Sequence, residues 1–563
     1  MSKMVSSVKS AREEETKKPV SNFMGGTSYK INPLDTLKMV TASSIFGEPQ
    51  YYRDGEFATA GVKDGMYRIN DLFRKFSILG DQYEGKKTSE VMEDVIDKAL
   101  SYDFEATLRW ALTLRQEFYM RLNPQVIMVR AAMHPARVAF NEAKPGLFSE
   151  LNAKVMARAD EPASQMTYYL FKNGSKKNIP NVLKRNWAKK LESLSPYALH
   201  KYKNTGIGMI DVVRVCHANS PSINELMKTG TIAVDDESNT WEAMRSKGKN
   251  WKEIYNTVKM GHMAVLRNLR GMFTEIDDAE FCQCVLTDLK AGVLTGKQFP
   301  FRYFTAMKML KNATDVHHLP QILDALEECI DIACDNMPKL KGKVMCLSDN
   351  SGSAWGTFNS EFGSVTIAEI DNLSSVITAR NADEGYVGKF GDKLIVTPVL
   401  KRNGVLSQAE AITAKKDQDV GGSTENGIWL FFRNAIDNKE HWDTIFIYSD
   451  QQAGHGGLYG TNAGIQEYTD RGFAAKSRYG VLYRYGVLYV DVAALIAEYR
   501  RKVNPDVNVF SVQTAGYDNV VIPEFGYRTN ILYGWTGKEL QFADSMIQFW
   551  NDRDGQKGQR ESE

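Results

Sequence analysis

The spacing of apolar residues divides the chain into two halves of different character. From about residue 30 to residue 340, apolar positions recur every three or four residues, as at Ile322, Leu326 and Ile330, which is typical of helices with one buried face. Short breakers that contain proline, such as Asn123-Pro124 and Ser220-Pro221, separate these segments. Many helices joined by short connections predict an α-solenoid of stacked helical pairs rather than one compact bundle.

From about residue 341 onward, short apolar runs alternate with segments of helical period. The runs predict strands at 343–348, 393–400, 444–448, 508–513 and 530–534. The segments between them predict helices at 366–380, 423–437, 490–502 and 538–551. This alternation predicts a parallel, doubly wound α/β sheet. We therefore expect an α plus α/β multidomain protein with a disordered arm at 1–24, a helical domain at 25–340 and an α/β domain at 341–563.

Composition narrows the class of protein without identifying it. The 563 residues are 43% hydrophobic, and 70 Lys and Arg face 69 Asp and Glu, for a net charge of +1. That balance excludes binding to nucleic acid by bulk charge, although local basic patches remain possible. No stretch has the roughly 18 consecutive apolar residues of a membrane helix, and the six cysteines are too few for a disulfide scaffold. We expect a cytoplasmic protein with no membrane span.

Polar residues with oxygen donors follow two of the predicted strands and open one of the predicted helices. Asp349, Ser351 and Ser353 come directly after the strand at 343–348, and Asp450 ends the strand at 444–448. Ser423 or Thr424 supplies a further hydroxyl at the start of a helix.

Ligand sites in doubly wound sheets lie at the carboxyl ends of the strands. Carboxylate and hydroxyl oxygens suit Mg²⁺, with Mn²⁺ or Ca²⁺ as alternatives, whereas three unrelated polar turns would give the same residues.

This pattern resembles the metal-ion-dependent adhesion site of von Willebrand factor A domains. The family's D-x-S-x-S motif resembles Asp349, Ser351 and Ser353, its later hydroxyl Ser423 or Thr424, and its strand-end acid Asp450. The resemblance implies a divalent cation with one open coordination position, which an acidic group of a partner protein can fill. The sequence contains no nucleophile and base pair that would make this site hydrolytic.

Basic residues are concentrated in the helical half. Between residues 181 and 214, seven bases minus two acids give +5 in a chain whose total is +1. The six that we assign to RNA binding are Lys184, Arg185, Lys189, Lys190, Lys201 and Lys203. Trp187 and Tyr202 lie among them and could stack on unpaired bases. The alternative is a solvated helix face with a buried tryptophan.

A second basic cluster lies further along the helical half. Arg267, Arg270 and Arg302 suit phosphate contacts, because the planar guanidinium binds phosphate oxygens bidentately. The alternative is that these arginines pair within the chain with acids such as Glu275, Asp277 and Asp278. Five more arginines recur between residues 104 and 140, and their orientation is not decided by the sequence.

Eight short segments of the helical half carry a further resemblance. In chain order they are residues 25–29, 46–48, 51–52, 183–187, 199–203, 211–217, 265–270 and 299–303. They resemble bacterial TROVE domains, and a TROVE domain followed by a von Willebrand A domain resembles relatives of the Ro ribonucleoprotein autoantigen. The resemblance implies a monomeric ring of HEAT-like helical repeats that binds small noncoding Y-like RNA and admits single-stranded 3′ ends of misfolded RNA. It also implies a role in RNA quality control and an exoribonuclease as a possible partner.

Other features favour no further chemistry. Cys282, Cys284, Cys329 and Cys334 lack the spacing of a zinc site and are expected to be core thiols. A tandem hexapeptide at 478–489 is either a surface insertion that contacts a ligand or a duplicated strand or loop. We expect no enzymatic activity, so that a nuclease is disfavoured. The competing hypothesis is a Mg-dependent protein-interaction scaffold that works through the A domain, with RNA binding incidental.

Overall fold

The computed structural model describes residues 19–21, 27–29, 33–42, 88–202, 208–232, 239–355, 357–360, 363–414, 420–421, 424–449, 467, 470–476, 488–490, 492–514, 527–533 and 539–561. Outside these ranges lie residues 25–26, 46–48 and 51–52, Lys203, Ser423, Asp450, and residues 478–487 of the hexapeptide repeat. Among the described helices, none combines the length and apolar content that crossing a membrane requires.

Helices account for most of the described chain up to residue 334, as the apolar spacing predicts. Two short antiparallel strands precede them, β1 (Pro19–Ser21) and β2 (Thr27–Tyr29), and β1 lies inside the segment expected to be a disordered arm. The helices are α1 (Pro33–Ala42), α2 (Thr88–Tyr102), α3 (Phe104–Gln116), α4 (Asn123–Met133), α5 (Arg137–Ala143), α6 (Leu147–Val155), α7 (Glu161–Asn173), α8 (Asn181–Glu192), α9 (Pro196–Tyr202), α10 (Met209–Cys216), α11 (Pro221–Thr229), α12 (Trp241–Ser246), α13 (Trp251–Thr257), α14 (His262–Glu275), α15 (Ala279–Ala291), α16 (Val293–Gly296), α17 (Pro300–Leu310) and α18 (Leu319–Cys334).

Local sequence explains where many of these helices begin. The side chain of Asp103 accepts a hydrogen bond from the N–H of Ala106 and caps α3, which satisfies a first-turn N–H that has no intrahelical partner. Asn250 and Glu253 form a reciprocal capping box at α13. Pro320 lies in the first turn of α18, where the missing N–H costs nothing. The helix predicted from Leu319 onward is thus confirmed.

Strands and helices alternate in the second half of the chain. The larger elements are β3 (Leu340–Asp349), α19 (Ile367–Arg380), β6 (Ala382–Phe390), β7 (Leu394–Pro398), α20 (Val405–Ala414), α21 (Thr424–Asp437), β8 (Thr444–Ser449), α22 (Val492–Lys502), β11 (Asn508–Gln513), β12 (Thr529–Tyr533) and α23 (Glu539–Glu561). Two small hairpins accompany them, formed by β4 (Thr357–Ser360) with β5 (Gly363–Thr366) and by β9 (Ala474–Lys476) with β10 (Leu488–Val490).

The larger strands form one sheet in the order β12-β11-β8-β3-β6-β7. Neighbouring strands are parallel except at the edge, where β7 runs antiparallel to β6. One core joins alternate residues such as Cys346 and Phe446 to α19 and to the helical half. A second core joins Leu347 and Ile445, on the opposite face, to α21 and α22. The doubly wound architecture is confirmed, and the sheet is mixed rather than wholly parallel.

Strand β6 has no counterpart among the predicted strands. Its sequence, ADEGYVGKF, contains no continuous apolar run, because two of its buried positions are glycines. A Cβ built on Gly385 would lie 1.9 Å from the carbonyl oxygen of Ala379. The end of α19 therefore packs directly on the backbone of β6. Because no apolar side chain is buried at this position, the sequence pattern does not indicate a strand.

The cysteines expected to be core thiols are buried with one exception. Cys282, Cys329 and Cys334 lie in the core, whereas Cys284 is exposed on α15. Burial raises the pKa of the Cys329 thiol to about 12. Such a thiol stays protonated at neutral pH and is a poor metal ligand or nucleophile.

The two halves of the chain contact each other at both ends of the helical array. Near its end, the Nζ of Lys308 on α17 lies 2.7 Å from Oε1 of Glu369 on α19. On α18, Asp331 accepts a hydrogen bond from the N–H of Val405. Near the start of the array, the Nζ of Lys38 on α1 lies 4.9 Å from the ring centroid of Phe549 on α23. The α/β domain therefore bridges the first and last helices, and the array closes on itself.

Candidate metal centre and nucleic-acid interface

The carboxyl ends of β3 and β8 bring two of the predicted metal ligands together with a residue that the sequence did not single out. The carboxylate of Asp349 is fully buried, and its Oδ1 accepts a hydrogen bond of 2.8 Å from the N–H of Ser351. Its Oδ2 accepts a hydrogen bond from the hydroxyl of Ser449. Because Ser449 is the last residue of β8, the carboxyl ends of β3 and β8 meet at Asp349.

A network of amides holds the loop that follows β3. The Nδ2 of Asn350 donates to Oδ1 of Asn372 on α19 at 2.9 Å, and Nδ2 of Asn372 donates to the hydroxyl of Thr413 on α20 at 2.9 Å. The carbonyl of Asn350 accepts the indole N–H of Trp355 at 3.0 Å. These buried hydrogen bonds fix the backbone from which Asp349 and Ser351 project.

The other predicted ligands are described less completely. Ser353 begins a turn of 3₁₀ helix and Thr424 begins α21, but their side chains lie outside the described part of the chain, as do Ser423 and Asp450. Gly421, two residues before Ser423, has a positive φ of 81°. Its carbonyl oxygen would be 2.4 Å from a Cβ on Gly391, at the turn between β6 and β7. Gly421 therefore lies at the same edge of the sheet as Asp349.

Within the described residues, no three or more His, Cys, Asp or Glu side chains cluster in a way that would hold a metal ion. The predicted site mixes two carboxylates with hydroxyls, and one of those carboxylates belongs to Asp450, beyond the described chain. The fully buried Asp349 beside Ser351 and Ser449 offers oxygen donors only. Such a donor set fits a hard divalent cation and excludes a soft metal that prefers sulfur.

The basic segment of the helical half projects from α8 and α9. On α8, Arg185 and Lys189 are exposed and Lys184 is half-buried, and none of the three forms an ion pair within the described residues. Lys190 instead turns inward, and its Nζ donates to the carbonyl of Ala157 at 3.0 Å. Burial lowers the pKa of Lys190. The predicted cluster thus holds three unneutralised cations on one helix and a fourth that is partly buried.

The aromatic residues of this segment have different environments. Trp187 is fully buried, and its indole N–H donates to Oε1 of Gln165 at 2.8 Å, so that the tryptophan cannot stack on a base. Tyr202 is half-buried and accepts a hydrogen bond from Nη2 of Arg158 at 3.2 Å. Lys201 is exposed and lies 5.7 Å from the ring centroid of Tyr197. In this segment, the aromatic side chains that could stack on a base are therefore Tyr197 and Tyr202.

The second predicted basic cluster also contains both unpaired and paired side chains. Arg267 and Arg302 are exposed and form no ion pair with another described residue. Arg270 pairs with Asp315 at 3.1 Å, a partner that the sequence did not indicate. The acids considered as partners are engaged elsewhere, Glu275 with Arg245, Asp278 with Lys252 and Asp277 with His317 and His318.

The arginines that recur between residues 104 and 140 are mostly neutralised. Their ion pairs within the described chain are Arg109 with Glu105, Arg115 with Glu161, Arg121 with Asp160 and Arg130 with Asp97. Glu161 is buried, and burial raises its pKa in spite of the nearby cations. Arg137 alone of the five forms no ion pair among the described residues. Paired arginines of this kind organise the helical array rather than offering charge to a ligand.

A pocket of about 440 Å³ lies where α5, α6 and α8 meet. Its lining residues are Arg137, Asn141, Gly146, Phe148, Ser149, Asn181, Val182 and Arg185. Of these, only Arg185 was singled out from the sequence as a binding residue. The pocket itself could not be foreseen, because its walls come from three helices whose relative placement is a matter of tertiary packing.

Two comparisons relate the chain to known proteins. The family model of the TROVE domain matches residues 218–323, which run from the residues just before α11 into α18 and include Arg267, Arg270 and Arg302. The crystal structure of the Deinococcus radiodurans Ro (RSR) protein is similar, with 16% sequence identity and a TM-score of 0.57 over 80% of this chain and 93% of that chain. At this identity the likeness establishes the fold. No curated protein sequence matches the chain.

Proposed function

We propose that the chain binds RNA and acts as a non-enzymatic ribonucleoprotein component, as its match to the TROVE domain over residues 218–323 and its structural similarity to a Ro protein suggest. The observation that carries the proposal is the set of unneutralised cations on α8. In a chain of net charge +1, Lys184, Arg185 and Lys189 form no ion pair with described residues, whereas four of the five arginines between residues 104 and 140 are paired. Three such cations on one helix of a nearly neutral protein are available to a polyanion.

The geometry of α8 suits an RNA backbone. Arg185 and Lys189 are four residues apart on the helix and so lie on one face. Lys201 on α9 extends the positive charge beside Tyr197, whose ring can stack on an unpaired base. Contacts of this kind position RNA through its phosphates and carry little sequence information.

The finer function that we propose is the binding of small, Y-like noncoding RNA and of single-stranded 3′ ends of misfolded RNA. The contacts that join both ends of the helical array to the α/β domain support this, because an array closed in this way is the arrangement expected of a ring that admits a single strand. An exoribonuclease that acts on such ends is a proposed partner.

For the α/β domain we propose a divalent cation, Mg²⁺ first among the candidates. Asp349 and Ser351 would hold it together with Ser353, with Ser423 or Thr424, and with Asp450. The buried, oxygen-only environment of Asp349 supports this choice. A bound cation would supply an electrophilic position for an acidic group of a partner protein. The second candidate function, a Mg-dependent interaction scaffold, follows from the same residues.

The proposal is tested by filter binding to a structured RNA with and without a single-stranded 3′ tail, at near-physiological salt. Replacing Lys184, Arg185 and Lys189 together by alanine should weaken binding at least tenfold. The matched control replaces Lys154, Lys249 and Lys252, which are exposed and already paired with acids, and changes the net charge equally.

Three outcomes separate the candidates. Binding that needs the tail or the α8 cations supports the ribonucleoprotein function. Equal losses in the α8 variant and the control would reduce the effect to net charge and contradict the assigned site. Partner binding that EDTA abolishes, in a protein that binds no RNA, would favour the scaffold.

A further inference from the structure

The pocket between α5, α6 and α8 has a lining without acidic residues. Its two charged groups are Arg137 on α5 and Arg185 on α8, and neither forms an ion pair or a side-chain hydrogen bond with any other described residue. The Nε of Arg137 is buried without a hydrogen-bond partner in the described part of the chain. A buried guanidinium N–H that has no partner costs free energy, and a ligand oxygen in the pocket would remove that cost.

Two helices direct their N-terminal ends at the same space. Gly146 precedes α6 and Pro180 precedes α8, and neither residue offers a side-chain cap to the first-turn N–H groups. Ser149 of α6 and Asn181 of α8 line the pocket. Helix N-termini carry partial positive charge and favour anions. They add to the two arginines, so that the charged side chains of the pocket wall and these two helix N-termini have the same sign.

The walls of the pocket are held in place by packing. Asn186 on α8 donates from Nδ2 to the carbonyl of Ser149 on α6 at 2.8 Å, which fixes the two helix starts relative to each other. Phe148 is buried and forms an apolar side of the pocket. The amide of Asn141 and the hydroxyl of Ser149 complete a wall that is polar on one side and apolar on the other.

The volume indicates more than an inorganic ion. About 440 Å³ falls in the range of small-molecule sites, roughly 300–1,000 Å³, and leaves room for a sugar beside a phosphate. A terminal phosphate carries nearly two negative charges at neutral pH, whereas a phosphodiester carries one. Two arginines and two helix N-termini match the more highly charged group.

We propose that this pocket binds the terminal phosphate of an RNA end. Arg137 and Arg185 hold the phosphate oxygens, and the N–H groups at the starts of α6 and α8 complete the contacts. The inference rests on the proposed RNA binding for the identity of its ligand. It goes beyond that function because the pocket would bind RNA ends that carry a terminal phosphate more tightly than ends that lack one.

The experiment compares single-stranded oligoribonucleotides of one sequence with a 5′ phosphate, a 3′ phosphate or no terminal phosphate. The wild-type protein should bind at least one phosphorylated form about tenfold more tightly than the unphosphorylated one, as expected for a charge-assisted contact. Arg137→Gln should abolish this preference and leave binding of the unphosphorylated RNA unchanged. The control is Arg109→Gln, an exposed arginine paired with Glu105, and thermal melting confirms that each variant is folded.

Calorimetry measures the binding of adenosine monophosphate and of inorganic phosphate to the protein. These measurements distinguish failure of the inference from failure of the proposed RNA binding. Equal affinity of the wild type for all three RNAs overturns the pocket assignment and leaves RNA binding intact. Failure to bind any RNA, together with Arg137-dependent binding of adenosine monophosphate, supports the phosphate pocket and removes the RNA function. Failure to bind RNA, adenosine monophosphate and phosphate overturns both.

Discussion

The aromatic rings of Tyr119 and Phe299 lie 6.3 Å apart, although one follows α3 and the other precedes α17. The Nζ of Lys297 lies 5.2 Å from the centroid of the same tyrosine ring. Tyr119 is held at a positive φ of 53°, which is a strained conformation for a bulky residue. A strained tyrosine that contacts the far end of the array marks the place where the helical domain closes directly on itself.

Tyr119→Ala should loosen this closure. Aromatic pairs contribute about 0.5–1.5 kcal/mol beyond their buried area, so we expect a loss of about 1 kcal/mol in the free energy of unfolding and faster amide hydrogen exchange around residues 297–299. Phe171→Ala, which removes an aromatic ring that is 50% exposed, serves as the control. Unchanged exchange at 297–299 in the Tyr119 variant would show that the closure depends on other contacts.

The ion pair between Lys308 and Glu369 should make the contact between the two halves sensitive to acid. Burial raises the pKa of Glu369, but the hydrogen bonds from Lys308 and from the N–H of Thr366 outweigh it and leave the pKa below the usual 4.5. A carboxylate with a lowered pKa stabilises the fold above its unfolded-state pKa, and this contribution is lost as the pH falls through the folded-state value.

Lys308→Met tests this link. The variant should lose about 1 kcal/mol of unfolding free energy at pH 7, since it leaves a half-buried carboxylate without its cation. The difference from wild type should shrink as the pH falls below about 4.5, because Glu369 becomes protonated in both proteins. Urea unfolding at pH 7 and at pH 4 or below measures it, and an equal difference at both pH values would contradict the assigned role of the pair.

RNA affinity should fall steeply with salt, and the slope should report the α8 cations. Each phosphate neutralised on a single strand contributes about 0.7 to the slope of log K against log salt. Replacing Lys184, Arg185 and Lys189 by alanine should therefore reduce the slope by about 2. Binding isotherms between 50 and 200 mM salt, roughly the range in which such effects are large, give the slopes. An unchanged slope with a weaker affinity would mean that these cations do not contact phosphate.

Divalent cations should stabilise the α/β domain through Asp349. A ligand at about 100 times its Kd adds about 2.7 kcal/mol to the unfolding free energy, so MgCl₂ should raise the melting temperature relative to EDTA. Asp349→Asn should abolish the shift, while Asp437→Asn, on the exposed end of α21, should retain it. A wild-type protein that melts identically in Mg²⁺ and EDTA would exclude the proposed cation.

Elements with a strong local signal were predictable from the sequence. Helix α18 follows from apolar residues at a helical period and from Pro320 in its first turn, and β8 follows from a continuous apolar run. The class of fold could be inferred from the alternation of strands and helices after residue 340. The approach of the end of β8 to Asp349 also follows from chain order, because parallel strands place their carboxyl ends at one edge of the sheet.

Tertiary structure decided the features that depend on contacts between distant segments. The apolar pattern does not predict strand β6, because Gly385 has no side chain and the backbone at the end of α19 packs directly against it. From the sequence, Trp187 could have faced a ligand. In the structure it is buried in the core, where its indole N–H donates a hydrogen bond to Gln165. Composition between residues 104 and 140 reveals basic residues, but only the fold shows that Arg115 pairs with Glu161 while Arg137 pairs with no acid in the described part of the chain. Periodicity and capping act within a few residues, whereas pairing, burial and pockets arise when segments far apart in sequence pack together.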